Sequence, residues 1–283
     1  MQLKLDTAEV FVPDRLPTEA ALTRTTHMAV GAHQDDLEIM SFAGILECFQ
    51  QTDLWYTGVI VTNGAGSPRD DVYAEYTGEA MREVRFQEQR KAAIVGEYGA
   101  AVLLDYPSAR IKNPGEQSPV EDLMTLVSLA QPAVIYTHNL ADKHDTHVGV
   151  TMKLIAALRA LPPASRPEKL LGCEVWRDLD WMCDDDKVGM DVSAHENLQA
   201  ALVGVFDSQV CGGKRYDLAT LGRRRAHATY FQSHAVDEAL GLNFAMDLTP
   251  LITTRTDMDP ADFVQEHIDR FAQEVRARMG KMA

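Results

Sequence analysis

The sequence predicts an α/β fold: a Rossmann-like, mostly parallel sheet flanked by helices, with a C-terminal elaboration. Two observations predict it. Short β-rich apolar runs alternate with helical patterns through the first half of the chain, the βαβα rhythm of parallel strands joined by crossover helices. The apolar share, 46% of 283 residues, is enough for a sizeable core and excludes a disordered chain.

The elements follow in order. Thr26–His33 (THMAVGAH) is strand-like and ends in polar residues, and Leu37–Gln50 reads as a helix. Trp55–Thr62 is a second β-rich run, followed by a turn-rich stretch. Gly78–Tyr98 is rich in helix formers, Ala101–Asp105 is a third strand, Val120–Ala130 a helix and Ala133–Thr137 a fourth strand. Val148, Met152, Ile155 and Leu158 then share one helical face. Beyond a Pro-rich turn come strand-like segments at Leu170–Trp176 and around Val188–Val192. Helical spacing returns at Leu198–Phe206 and within Gly222–Phe231. The C-terminal segment from Pro260 to Met282 reads as an amphipathic helix, with Phe263, Ile268, Phe271 and Val275 as core candidates. No repeat or linker divides the chain, so residues 1–283 are expected to form a single domain, elaborated from about residue 211 onward.

Charge narrows the partners. The 27 Lys+Arg against 42 Asp+Glu leave a formal charge of −15, which argues against nucleic acid and anionic membrane surfaces. No stretch reaches the roughly 20 apolar residues of a membrane span, and the N-terminus has no apolar signal core. The four cysteines are scattered without a CxxC pair, which reads as reduced thiols and a cytoplasmic location.

Ligands of open α/β sheets bind at the carboxyl ends of strands, and two predicted strand ends carry unusual residues. The first, Gly31-Ala32-His33-Gln34-Asp35-Asp36-Leu37-Glu38, places a histidine and two adjacent carboxylates where strand becomes helix. The second, from His138 to His147, brings His144 and His147 three residues apart before a helix. Singly, each has a plainer reading, with Asp35 or Asp36 capping one helix and Asp145 or Thr146 the other. Together they suit a mononuclear metal site, because two neutral imidazoles and a carboxylate bind zinc and leave a position open for water. Asp35 is then the spare carboxylate, free to take a proton from that water.

These residues resemble the LmbE-like (PIG-L-type) zinc-dependent N-deacetylases. That family's first motif reads A-H-P-D-D-x-E, matched by Ala32–Glu38 except for Gln34 in place of Pro; its second reads H-x-x-H, matched by His144–His147. Weaker agreement lies at Val61-Thr62-Asn63-Gly64, at Arg85-x-x-Glu88-x-x-x-Ala92, at Asp105-Tyr106-Pro107, at Asp191-Val192-Ser193 and at Ser208-Gln209, so the resemblance spans about residues 26–210. It implies that His33, Asp36 and His147 bind the metal and that Asp35 is the general base. It further implies that His144 stabilises the oxyanion or protonates the leaving amine, and that Arg85 faces substrate. The expected ion is Zn²⁺, and Fe²⁺ suits the same donors. The implied activity is removal of an acetyl or other acyl group from an N-acylated amino sugar or sugar conjugate. A metal-dependent phosphoesterase and a non-catalytic sugar-binding module with a structural metal are the rival readings, and homo-oligomerisation is left open.

Two departures from the family pattern carry their own expectations. Gln34 lacks the fixed φ of Pro, so the ligand turn must be held by other means. Thr146 replaces an expected carboxylate, so Asp142 or Asp145 is expected to orient His144. Elsewhere, the Gly64–Arg69 loop suits a pocket mouth better than a dinucleotide site. His138 reads as a hydrogen-bonded pocket wall, Asp184–Asp186 as a solvated turn and Arg223–Arg225 as a solvated helix face.

Overall fold

The computed structural model describes residues 1–283 and contains one eight-stranded mixed sheet. Its strands are β1 (Glu9–Phe11), β2 (His27–Gly31), β3 (Tyr56–Thr62), β4 (Ala100–Tyr106), β5 (Val134–His138), β6 (Lys169–Cys173), β7 (Lys187–Asp191) and β8 (Leu242–Asp247). The spatial order is β1-β4-β3-β2-β5-β6-β8-β7. Strands β4, β3, β2, β5 and β6 are mutually parallel, whereas β1, β8 and β7 join antiparallel. The predicted α/β class is therefore the observed one.

Both faces of the parallel part are covered, and the period-2 rule assigns each side chain to a face. In β4, Ala100, Val102, Leu104 and Tyr106 join one core cluster while Ala101 and Leu103 join the other. The first cluster is closed by helices Ser118–Ala130 and Asp145–Ala160, the second by Phe42–Cys48 and Gly78–Val95.

The chain winds from β2 through β3 to β4, then returns to place β5 on the other side of β2. The carboxyl ends of β2 and β5 thus flank a topological switch point, where α/β sheets open a crevice.

The six predicted strands are all present; β1 and β8 were not expected. β1 has only three residues, and β8 (LNFAMD) is poor in β-branched residues. The segment beyond residue 211 contributes β8 to the sheet itself, between β6 and β7.

Five local expectations are corrected. The helix predicted over Leu37–Gln50 is two helices, Asp36–Met40 and Phe42–Cys48. Ser41 divides them, its hydroxyl donating to the Leu37 carbonyl at 2.7 Å in competition with the helical ladder. Arg224 is not on a solvated face but buried, donating to the Glu38 and Ile39 carbonyls at 2.9 Å and so satisfying the end of the first short helix. In helix Asp145–Ala160, Ile155 and Leu158 are buried but Met152 is 41% exposed, and the core-facing set is Val150, Leu154, Ile155, Ala157 and Leu158. His147 and Thr151 set that rotation: both are buried on this face, and the Thr151 hydroxyl donates to the His138 carbonyl at 2.8 Å. Asp186 is tied to Arg270 and is not solvated, and of the C-terminal candidates only Phe263 is buried.

Candidate active site

The turn after β2 is built by its own side chains. The His33 backbone N–H donates to Asp36 Oδ2 at 2.6 Å, folding the loop so that both residues face one point. Gln34, where the family motif has Pro, is fully buried, and its Nε2 donates to the Thr62 carbonyl at 3.1 Å. The Arg85 guanidinium donates to the Gln34 carbonyl. Asp35 sits in this turn with φ 98°, outside the region L-residues favour, and those bonds hold it there. Gly64, at φ +69°, passes so close that a Cβ on it would lie 2.5 Å from Gln34 Oε1.

The second segment follows β5. Asp142 Oδ1 accepts the His144 backbone N–H at 2.9 Å, and Oδ2 accepts the Trp176 backbone N–H at 3.1 Å. His144 caps helix Asp145–Ala160, its Nδ1 accepting the Thr146 N–H at 3.3 Å. In a neutral ring this leaves the proton on Nε2. His147 lies in the first helical turn and is fully buried.

The two segments meet. His33 Nδ1 lies 3.2 Å from His147 Nε2 and 3.3 Å from Asp36 Oδ2, and His147 Nε2 lies 3.4 Å from Asp36 Oδ1. Donors about 2.0–2.1 Å from a tetrahedral ion stand roughly 3.3 Å from one another. With one donor atom taken from each, the three side chains lie within 4.8 Å of one another, a grouping that could hold a metal ion. Burial holds the His147 imidazole down at about 4, so its nitrogen is free of a proton at neutral pH, as a metal ligand must be. Burial opposes ionisation of Asp36, yet the adjacent His147 and His138 hold its carboxyl well below the usual range.

Asp35 is outside this triad. It is 5% exposed, and its Oδ2 accepts from Arg85 Nη2 at 3.0 Å. Burial raises its carboxyl above the usual range, opposed by Arg85 and reinforced by the Asp36 charge. Arg85 is itself 1% exposed, with Nη1 on Glu88 Oε2 at 3.0 Å. Glu88 in turn accepts the Ser208 N–H at 2.7 Å and the Ser208 hydroxyl at 2.8 Å. Two weak sequence elements 120 residues apart thus close into one buried network. Arg85 borders the cavity, but its guanidinium is spent on Asp35, Glu88 and the turn.

His33, Asp35, Asp36, His144 and Thr146 line a cleft of about 510 Å³, a volume suited to a small ligand. Gly64, Gly66, Ser67 and Pro68 form part of its wall, so the loop after β3 does lie at the pocket. His138 does not line it. Fully buried, His138 accepts the Ala32 N–H at Nε2 (2.9 Å) and stacks on His147 with centroids 3.9 Å apart. Glu38 is also withdrawn, accepting from Tyr98 Oη at 2.6 Å and Gln89 Nε2 at 2.8 Å.

Asp145 is exposed and makes no bond to His144. Asp142 holds the His144 backbone but not its ring, and its Oδ2 lies 3.6 Å from His147 Nδ1. The carboxylate expected to serve His144 thus faces the buried histidine instead.

Residues not anticipated complete the cleft: Trp176 and Tyr216, edge to face at 5.7 Å, with Lys112 and Lys214. Trp176 closes the predicted strand Leu170–Trp176, so the strand-end rule could have found it. Nothing local marks Lys214 or Tyr216.

Residues 28–158 match the family described as PIG-L: GlcNAc-PI de-N-acetylase. The match defines a PIG-L-like domain within the chain. That domain contains His33, Asp35, Asp36, Arg85, His144 and His147, while Trp176, Ser208 and Tyr216 lie beyond it. No curated protein matches the chain in sequence. Solved structures share the fold of the PIG-L domain and its surroundings. The 4-carboxy-2-hydroxymuconate hydratase GalB of Pseudomonas putida is 14% identical, over 79% of this chain and 95% of that one, with a TM-score of 0.61. The N,N'-diacetylchitobiose deacetylase of Pyrococcus horikoshii is 16% identical over 83% and 88%, with a TM-score of 0.58. A deacetylase of the teicoplanin biosynthetic pathway is 13% identical over 79% and 98%, with a TM-score of 0.56. One of these is a hydratase, so the shared fold does not by itself decide the reaction.

Proposed function

We propose that this protein is a metal-dependent amide hydrolase that removes an acyl group, acetyl first among candidates, from an N-acylated amino sugar or sugar conjugate. One observation carries the reading: a three-donor cluster at the switch point stands beside a separate buried carboxylate, Asp35, that the cluster does not use. The match to a family of de-N-acetylases supports the choice of an amide over a phosphoester.

His33, Asp36 and His147 would hold the ion. Zn²⁺ or Fe²⁺ bound there supplies Lewis acidity toward water and toward the amide carbonyl. Asp35 accepts a proton from the attacking water, whose oxygen adds to the carbonyl carbon. Its raised proton affinity suits a group that must take a proton and then release it. Arg85 fixes the Asp35 carboxylate. His144, with its proton on Nε2, donates to the oxygen on which negative charge develops. The C–N bond then breaks, and the proton held by Asp35 passes to the departing amine. Trp176 and Tyr216 offer an apolar wall for a sugar ring.

The test is release of acetate from N-acetylated sugars by metal-loaded protein. Asp35→Asn is expected to keep the metal and lose about 10²–10⁴-fold in turnover. Undiminished turnover in that variant would overturn the mechanism. Phosphoester turnover with two ions bound would favour the phosphoesterase, and hydration of an unsaturated acid without amide cleavage would favour a hydratase.

A further inference from the structure

We infer that the C-terminal helix, Pro260–Gly280, is a homodimerisation element that pairs antiparallel with the same helix of a second copy of this chain. The helix has 21 residues, yet only Pro260 and Phe263 are buried. At about 1.5 Å per residue it is on the order of 30 Å long. Beyond Phe263 and the partly buried Val264 its attachments are polar: Arg270 pairs with Asp186, and His267 Nδ1 lies 3.5 Å from the same carboxylate.

The apolar residues do not point randomly. Ile268, Phe271, Val275 and Met279 follow one another at spacings of three and four, which is one stripe of a helix and the pattern of a coiled-coil seam. They are 42%, 38%, 39% and 68% exposed. A stripe of this regularity costs solubility unless a surface covers it, and the chain's own core does not.

Charge selects the occupant. The first half of the helix and its cap carry Asp259, Asp262, Glu266 and Asp269. The second half carries Arg270, Arg276, Arg278 and Lys281, with Glu274 the single acid. Glu266 pairs with Arg255, Arg270 with Asp186, and Glu274 with Arg278. Asp262 and Asp269 in the first half, and Arg276 and Lys281 toward the C-terminal end, form no ion pair within the chain, Asp269 accepting only from Gln265 Nε2 at 2.8 Å. A parallel copy would set like charges side by side, whereas an antiparallel copy lays each acidic half along a basic half and matches Ile268 and Phe271 with the partner's stripe. An anionic membrane would meet the acidic half as well as the basic one, which disfavours it.

Light scattering on the full-length protein tests this. The wild type is expected at twice the 31.4 kDa chain mass, or an even multiple of it. The Ile268→Glu/Phe271→Glu double variant is expected at half the wild-type mass, with unchanged far-UV circular dichroism because these side chains lie outside the core. Val275→Glu gives a second, independent reading. A monomeric wild type, or an unchanged mass in the folded variants, would overturn the proposal. Orientation is read by oxidative cross-linking: Ala272→Cys, near the helix midpoint, is expected to link to its own copy, and Lys281→Cys is not. Cross-linking at both positions means a parallel pair and overturns the antiparallel assignment.

Discussion

Arg85 Nη2 donates to Asp35 Oδ2 at 3.0 Å, joining a helix residue to a strand-end residue 50 positions away, with both side chains buried. The pair is part of a chain that continues through Glu88 to Ser208. Arg85 uses different nitrogens for Asp35 and for Glu88, so it spans two carboxylates that would otherwise be buried without a cation.

The first prediction follows directly. Arg85→Ala leaves Asp35 and Glu88 uncompensated and should cost about 3–5 kcal/mol in a urea titration. Arg85→Lys should recover little of it, because a single ammonium cannot reproduce the forked contacts. Wild-type stability in either variant would show that the network contributes nothing.

Neighbouring glycines should differ sharply. Gly64→Ala meets Gln34 Oε1 and Arg85 Cγ at 2.5 and 2.9 Å, at a φ that disfavours any side chain. It should destabilise the protein by more than about 1 kcal/mol and distort the turn carrying His33 and Asp36. Gly66→Ala meets nothing within 4 Å and should be nearly neutral. Equal melting temperatures for the two variants would contradict this reading of the loop.

Asp142 and Asp145 are separable. Asp142→Ala removes the acceptor for the His144 and Trp176 amides and the carboxylate nearest His147 Nδ1. Metal affinity should fall about 10–100-fold. Asp145→Ala, at an exposed position, should leave it unchanged. Competition with a chromophoric chelator measures both, and a reversed order would refute the assignment.

Metal should couple to folding. A ligand held at 1,000 times its dissociation constant stabilises the native state by about 4.1 kcal/mol. Removing the ion with a chelator should therefore lower the melting temperature, and zinc should restore it. His147→Ala should melt at one temperature with or without zinc. A zinc-dependent shift that survives in this variant would place the ion elsewhere.

The sequence by itself determined the α/β class, six of the eight strands and the two strand-end segments that hold the candidate donors. These were legible because each depends on local regularities: period-2 apolar runs, helical spacing, and histidines and carboxylates three residues apart. What only the tertiary structure decided depends on contacts between distant segments. The role of Gln34 follows from the Thr62 carbonyl it reaches, and that of Arg85 from Asp35 and Ser208. The spacing assigns Asp142 to His144, its near neighbour, but the fold of the loop turns the oxygen that accepts the Trp176 N–H toward His147 as well. The C-terminal helix shows the same limit in reverse. Its apolar stripe was evident in the sequence, but amphipathicity marks only that a face needs cover and does not say from which surface. The eight-stranded sheet leaves that face outside the core.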